Sequence, residues 1–272
     1  MKAILTGSSG FIGKNLKEKL LFLDFDVIEI TEELFNSESW NDDLDSILDS
    51  SANVVFHVGA CSNTLEKNVN YIMKVNYEFS KLISNFTKQN HIPLIYSSSA
   101  ACYGTNNLYP SNLYGWSKYA AEDYVINSGG IALRYFNVYG PGEEDKGDMA
   151  SFVYQAYTKF KKNEKVKLFP NSPRRDFIYV DDVISANLHA YSNFEALDKR
   201  YYEVGSGEDN LFESALVYAG INFEYHDETS IPPGYQFYTR SHFSNWMNGW
   251  NPQFNLEAGI KSYLAYLVDS ND

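Results

Sequence analysis

A glycine-rich turn near the start constrains the chain most. Thr6-Gly7-Ser8-Ser9-Gly10-Phe11-Ile12-Gly13 directly follows a short apolar run at 2–6 and opens an amphipathic run at 11–22. A strand that turns at once into a helix needs a residue free to take a tight backbone conformation at Gly7. Gly10 lets the backbone approach a bound group, and Gly13 lets helix and strand pack closely. The first helical amides then face whatever sits at the turn, an arrangement suited to a pyrophosphate. An ordinary strand-to-helix turn is the simpler alternative. The strand before it and the helix after it supply the context that a dinucleotide cradle requires.

The first half repeats this pattern. Apolar runs at 27–30, 54–58, 94–97 and 131–135 read as strands, and 114–127 reads as a helix. In 11–22 and just beyond, Leu16, Leu20 and Leu23 recur at helical spacing. In 71–89, Ile72, Val75, Phe79, Leu82, Ile83 and Phe86 share one helical face. The alternation predicts a Rossmann-type α/β fold with a doubly wound parallel sheet. The second half departs from it, with a helix at 149–161, a strand at 166–169, a strand end and helix over 176–191, and a helix at 256–268. Residues 1–140 are expected to form the dinucleotide-binding domain, with segments returning near 176–206. A smaller substrate-binding lobe is expected over 141–272.

Bulk properties narrow the function classes. A net charge of −13 counts against a grip on nucleic acid backbones. No apolar run approaches bilayer length, and the amino terminus reads as a strand rather than a signal peptide. The two cysteines, Cys61 and Cys102, make neither a zinc spacing nor a disulfide framework, so no metal and a reduced, cytoplasmic setting are expected.

Tyr114 and Lys118 form a Tyr-x-x-x-Lys pair at the start of an amphipathic helix. Residues at i and i+4 share a face, which puts the ammonium within reach of the phenol. A free tyrosine titrates near 10, so base chemistry at neutral pH needs a nearby positive charge. Alone, this pair is usually a solvated helix face. Ser99, in the run Ser97-Ser98-Ser99 that ends a strand, adds a hydroxyl where ligands meet an open α/β sheet. Cradle, serine and Tyr-x-x-x-Lys in that order make coincidence a poor explanation.

The spacing Gly-x-x-Gly-x-x-Gly resembles the extended short-chain dehydrogenase/reductase family. More specific blocks resemble one branch of it, the ADP-glycero-manno-heptose 6-epimerases. These are Phe56-His57-Val58-Gly59-Ala60-Cys61-Ser62-Asn63-Thr64, Arg134-Tyr135-Phe136-Asn137-Val138-Tyr139-Gly140-Pro141, Lys146-Gly147-Asp148-Met149-Ala150-Ser151 and Arg175-Asp176-Phe177-Ile178-Tyr179-Val180. The resemblance implies a tightly bound NAD or NADP and a nucleotide-sugar substrate. It places Gly7, Gly10, Phe11, Ile12, Gly13, Val58, Gly59, Ala60, Cys61, Ser62, Asn76, Tyr114, Lys118 and Val138 against the cofactor. Thr31 and Glu32, after the second strand, take the adenosine ribose. It turns Ser99, Asn137, Lys146, Asp148, Gln155, Phe169, Pro170, Asn171, Ser172, Arg175 and Tyr235 toward the substrate. Tyr114 and Lys146 become the catalytic pair, supported by Lys118 and Ser99.

The chain departs from that branch in several places. The segments between Glu32 and Val54 and between Ser99 and Tyr114 are short. Asp148 replaces a small hydroxyl residue, and Gln155 replaces a histidine. The branch prefers NADP, yet no lysine or arginine lies between Lys19 and Lys67, so the choice of dinucleotide stays open. Another nucleotide-sugar epimerase, a dehydratase or a reductase on the same scaffold is the first alternative. Ala100-Ala101 after the serines, in place of an acidic pair, counts against the dehydratase. A non-catalytic dinucleotide-binding protein is the second alternative, and a homo-oligomer is expected.

Overall fold

The computed structural model describes residues 1–105, 108–227 and 236–269. The chain runs through β1 (Lys2–Thr6), α1 (Phe11–Phe22), β2 (Asp26–Ile30), α2 (Trp40–Ile47), β3 (Val54–His57), α3 (Val69–Met73), α4 (Phe79–Asn90), β4 (Leu94–Ser99), α5 (Leu113–Asn127) and β5 (Ile131–Tyr135). It continues through β6 (Asn137–Tyr139), α6 (Phe152–Lys161), β7 (Val166–Leu168), β8 (Arg174–Arg175), β9 (Phe177–Tyr179), α7 (Val180–Ser192) and β10 (Tyr201–Val204). The last elements are β11 (Asn210–Leu211), α8 (Phe212–Tyr218), β12 (Phe223–Tyr225) and α9 (Leu256–Asp269).

Six strands make the main sheet in the order β10-β5-β4-β3-β1-β2. The pairs β1–β2, β1–β3 and β3–β4 are parallel. The chain leaves β1 for a neighbour on one side and returns to its other side as β3. That reversal opens a crevice at the carboxyl ends of β1 and β3, where open α/β sheets bind ligands. The expected doubly wound α/β fold is the observed one.

Two compact units divide the chain. The first comprises Met1–Arg134, Ile184–Tyr202 and Met247–Trp250, and the second Tyr135–Val183, Glu203–Trp246 and Asn251–Asp272. Ile4, Val55, Phe79, Ile83, Tyr96 and Val125 belong to the core of the first. Tyr139, Val153, Tyr157, Phe177, Leu216 and Tyr263 belong to that of the second.

Local differences from the sequence-based expectation have physical reasons. Leu16 and Leu20 are buried, but Leu23 lies past the end of α1 and is exposed. The helix expected over 71–89 starts at Val69 and contains a wider π-type turn at Lys74–Glu78. The short segment after Glu32 carries α2, which buries Leu44 and is too brief for periodicity to reveal. The helix expected from Met149 starts at Phe152, because the Ser151 side chain accepts from the Tyr154 amide and caps it there. β4 runs on to Ser99, which places that residue at the sheet's carboxyl edge.

A buried ion pair fixes α5 against the sheet. The Arg134 guanidinium donates to both Glu122 carboxylate oxygens, at 2.5 and 2.8 Å, and the Ser98 hydroxyl donates to the same carboxylate at 2.6 Å. The Tyr201 and Tyr103 rings lie 3.6 and 4.5 Å from the guanidinium. Removing one partner of such a pair strands the other charge in the interior. Glu122→Ala is expected to cost about 3–5 kcal/mol in urea unfolding of the whole chain. A cost within error of an exposed substitution, such as Glu18→Ala, would contradict that reading.

Candidate active site

The crevice forms where two backbones touch. A Cβ added to Gly7 would run into the Gly59 backbone, and one at Gly59 would meet the Gly7 nitrogen at 2.8 Å. Gly7 also sits at φ 68°, in the left-handed region. A Cβ at Gly13 would strike the Gly7 carbonyl oxygen. The turns after β1 and β3 therefore close on each other only as glycines. No side chain caps α1 at Gly10, and a helix start of this kind suits an anion. These features fit the pyrophosphate of a dinucleotide. Phe11 is buried there and Ile12 half-buried. Thr31 follows β2, and the Glu32 carboxylate accepts from the Ser9 hydroxyl of the cradle at 2.5 Å.

Behind the cradle runs a buried polar chain that sequence reasoning missed. The Gly59 amide donates to the Thr6 hydroxyl at 2.9 Å, which lies 2.7 Å from His57 Nδ1. His57 Nε2 lies 2.7 Å from the Ser80 hydroxyl, and that hydroxyl donates to the Asn76 carbonyl at 2.6 Å. A carbonyl can only accept, so Ser80 spends its one proton there and must accept from His57. Nε2 therefore carries the imidazole proton, and Nδ1 accepts from Thr6. Burial pushes the His57 pKa down to about 3, aided by the Lys118 charge.

Asn76 carries the chain onward. Its Oδ1 accepts from the Cys61 amide at 2.7 Å, and its Nδ2 donates to the Cys61 carbonyl at 3.2 Å and the Ser117 hydroxyl at 2.9 Å. Ser117 donates to the Tyr114 carbonyl at 2.7 Å. Hydrogen bonds thus join the loop of Val58, Gly59, Ala60, Cys61 and Ser62 to the first turn of α5. That turn begins where the Asn112 side chain accepts from the Gly115 amide. Asn76 reaches both partners from the π-type turn, a feature found often at functional sites.

Tyr114 and Lys118 differ from the simple i, i+4 picture. Burial pushes the phenol up to about 12, while a hydrogen bond with Ser99 pulls the other way. Lys118 places its ammonium 4.3 Å from the centre of the Tyr96 ring, and burial draws its pKa down to about 8. Both side chains are thereby biased toward their neutral forms. The Cys61 thiol, half-buried in the facing loop, is pushed up by burial.

In the second unit the predicted residues lie on several segments. Lys146 and Asp148 share one loop, and the side-chain amide of Gln155 on α6 donates to the Asp148 and Ala150 carbonyls at 3.0 and 2.9 Å. Lys146 is half-buried; burial lowers its proton affinity and Glu143 raises it. Asn137 and Val138 lie on β6, where Asn137 Nδ2 donates to the Asp176 carbonyl at 2.9 Å. Phe169 packs 5.4 Å from the His226 ring, followed by Pro170 and then Asn171 and Ser172 at φ 70° and 48°. Two successive non-glycine residues in the left-handed region are a costly local arrangement. Arg175 is 9% exposed, donates to the Arg174 carbonyl and lies 5.4 Å from the Phe212 ring. Asp176, next along the chain, accepts from Ser206, Gly207 and Ser241. Tyr235 lies outside the described residues.

A surface cavity of about 460 Å³ is lined by Thr87, His91, Ser128 and Phe194, at the carboxyl ends of α4 and α5. At 1.5 Å per residue, the end of α5 lies roughly 20 Å from Tyr114. It is no part of this site.

The model of the NAD dependent epimerase/dehydratase family matches residues 3–205. The chain belongs to this family. An ADP-L-glycero-D-manno-heptose-6-epimerase from Brachyspira hyodysenteriae is 34% identical, over 98% of this chain and 98% of its own. The solved ADP-L-glycero-D-manno-heptose-6-epimerase of Helicobacter pylori superposes with a TM-score of 0.84 at 26% identity, covering 98% of this chain and 96% of that one. The UDP-glucose 4-epimerase of Thermotoga maritima reaches the same TM-score of 0.84 at 24% identity over 100% of both chains, a likeness of fold alone. The extended short-chain dehydrogenase/reductase resemblance, and its heptose 6-epimerase branch, are thus borne out. The family member is an NAD(P)-dependent nucleotide-sugar epimerase, its cofactor NAD or NADP. Among the described residues no helix is long and apolar enough to cross a membrane.

Two outcomes follow from this geometry. Gly13→Ala is expected to abolish dinucleotide retention, read by native mass spectrometry, and retention equal to the parent would contradict the cradle. His57 is neutral when folded, so the unfolded state takes up a proton below about pH 6.5 that the native state refuses. Stability from this residue is present above that pH and is lost as pH falls toward 3. The unfolding free energy of the parent should fall more steeply between pH 6.5 and 4 than that of His57→Asn. An imidazole that titrates near 6.5 by NMR would overturn the neutral state assigned to His57.

Proposed function

We propose that the chain interconverts the C6 epimers of an ADP-glycero-manno-heptose. The observation that carries this reading is a relative of that name aligned over 98% of both chains. Tyr114, Ser99 and Lys146 are the acid/base groups assigned to such a reaction.

In this reading Gly7, Gly10, Gly13 and the amides of α1 hold the pyrophosphate, and Thr31 and Glu32 face the adenosine ribose. Val58, Gly59, Ala60, Cys61, Ser62, Asn76 and Val138 line the rest of the dinucleotide, and Lys118 holds the nicotinamide ribose. An oxidised nicotinamide held by these residues would supply a hydride acceptor and a positive charge. Tyr114 takes the hydroxyl proton of one epimer at its Oη, with Ser99 steering the same oxygen. Its high resting proton affinity means that it becomes a base only when positive charge gathers beside it. Lys146 moves the proton at the other epimer through its Nζ. C6 is exocyclic, so rotation about one bond exchanges the faces of the carbonyl between hydride removal and return. Arg175, with Asn137, Phe169, Pro170, Asn171, Ser172, Gln155, Asp148 and Tyr235, holds the nucleotide sugar; a guanidinium suits its diphosphate. A homo-oligomer and a cytoplasmic setting complete the proposal; two free thiols, Cys61 and Cys102, suit the latter.

The enzyme as purified, given either C6 epimer of the ADP-heptose, should yield a mixture of both by NMR. Tyr114→Phe should lower turnover by about 10²–10⁴-fold with dinucleotide content unchanged. No conversion at C6, or inversion at C4 of a UDP-hexose instead, would overturn the assignment of the sugar.

A further inference from the structure

The loop that carries Lys146 is built around a buried carboxylate. Glu143 is 0% exposed. Its oxygens accept from the Gly140 amide at 3.2 Å, the Ser151 amide at 2.5 Å and the Ser151 hydroxyl at 2.7 Å. One side chain thus ties the start of the loop to its end. Ser151 also accepts from the Tyr154 amide at 3.2 Å, which joins the clamp to the first turn of α6. Within the loop the Lys146 amide donates to the Glu143 carbonyl at 3.0 Å, and the Ala150 amide to the Gly147 carbonyl at 3.1 Å. Gly147, at φ 53°, makes the turn beside the lysine.

We propose that Glu143 is the positioning residue of Lys146, clamping its loop from both ends and holding its ammonium by charge. This rests on the acid/base role given to Lys146 above. Charge is needed because of where the lysine sits. Burial favours the neutral amine, and Glu143 opposes it. Glu143 is itself raised by burial and brought back by the Ser151 and Gly140 donors and by Lys146. Among the described residues, the other titratable groups around the loop are Glu144, Asp145 and Asp148 on the loop itself, Tyr154 and Tyr157 from α6, and Tyr263 from α9. Glu143→Gln keeps the size of the side chain and removes one negative charge. A residue that merely closed the loop would not alter how Lys146 titrates.

The test reads Lys146 in the dinucleotide-loaded enzyme labelled with ¹³C at lysine Cε, its signal assigned through Lys146→Arg. Glu143→Gln should lower the Lys146 titration midpoint by about 1 unit or more, and the matching limb of the kcat–pH profile should move with it. Glu143→Asp, which keeps the charge but withdraws it by one methylene, should shift the midpoint the same way by less. It serves if the glutamine variant does not fold. An unchanged midpoint in a folded variant overturns the proposal. Full turnover in Lys146→Met would instead overturn the role of Lys146, and the NMR midpoint would still judge Glu143 on its own.

Discussion

The contact between the Gly7 and Gly59 backbones is the constraint on which the dinucleotide crevice depends. Two parallel strands diverge from a switch point, and their following turns must still meet, with no room for a Cβ on either. Once they meet, the first amides of α1 face the gap. Thr6, the last residue of β1, then bonds to the first turn beyond β3 and to the imidazole that ends that strand. The cradle is thus braced by its own neighbours rather than by a bound ligand.

That bracing reaches the chemistry through a short list of polar groups. His57, Ser80, Asn76 and Ser117 link the glycine contact to the carbonyl of Tyr114 by bonds of 2.6–2.9 Å. Each group is buried and hydrogen-bonded to the next, so the network holds its members in fixed roles. The same burial acts oppositely on the two signature residues, raising Tyr114 to about 12 and lowering Lys118 to about 8. At neutral pH the phenol is therefore protonated, while Lys118 still carries its charge. In the proposed reaction, further positive charge beside Tyr114 would bring its phenol into the range of a base.

What was legible in the sequence was local. Gly7, Gly10 and Gly13 could be read because a turn, a strand and a helix within a dozen residues impose them. Tyr114 and Lys118 could be read because four residues on a helix define a face, although the direction of the Lys118 side chain depends on Tyr96 from a different element. His57 was invisible as a functional group, since a polar residue ending an apolar strand gains meaning only from Thr6 and Ser80, far away in the chain. Glu143 was hidden for a related reason. In a surface-like run with Glu144 and Asp145 nothing marks it as the buried one. Lys146, Gln155 and the Asn171–Ser172 pair came from the family resemblance, not from spacing.

The central claim is transient oxidation with return of the same hydride. It is tested most directly by running the reaction on unlabelled ADP-heptose in deuterium oxide and examining the inverted carbon by NMR and mass spectrometry. Inversion with the original hydrogen retained at C6, and none of the solvent deuterium incorporated there, is the predicted result. Deuterium at C6 of the product would mean that inversion passes through a carbanion that exchanges with water, and would contradict it.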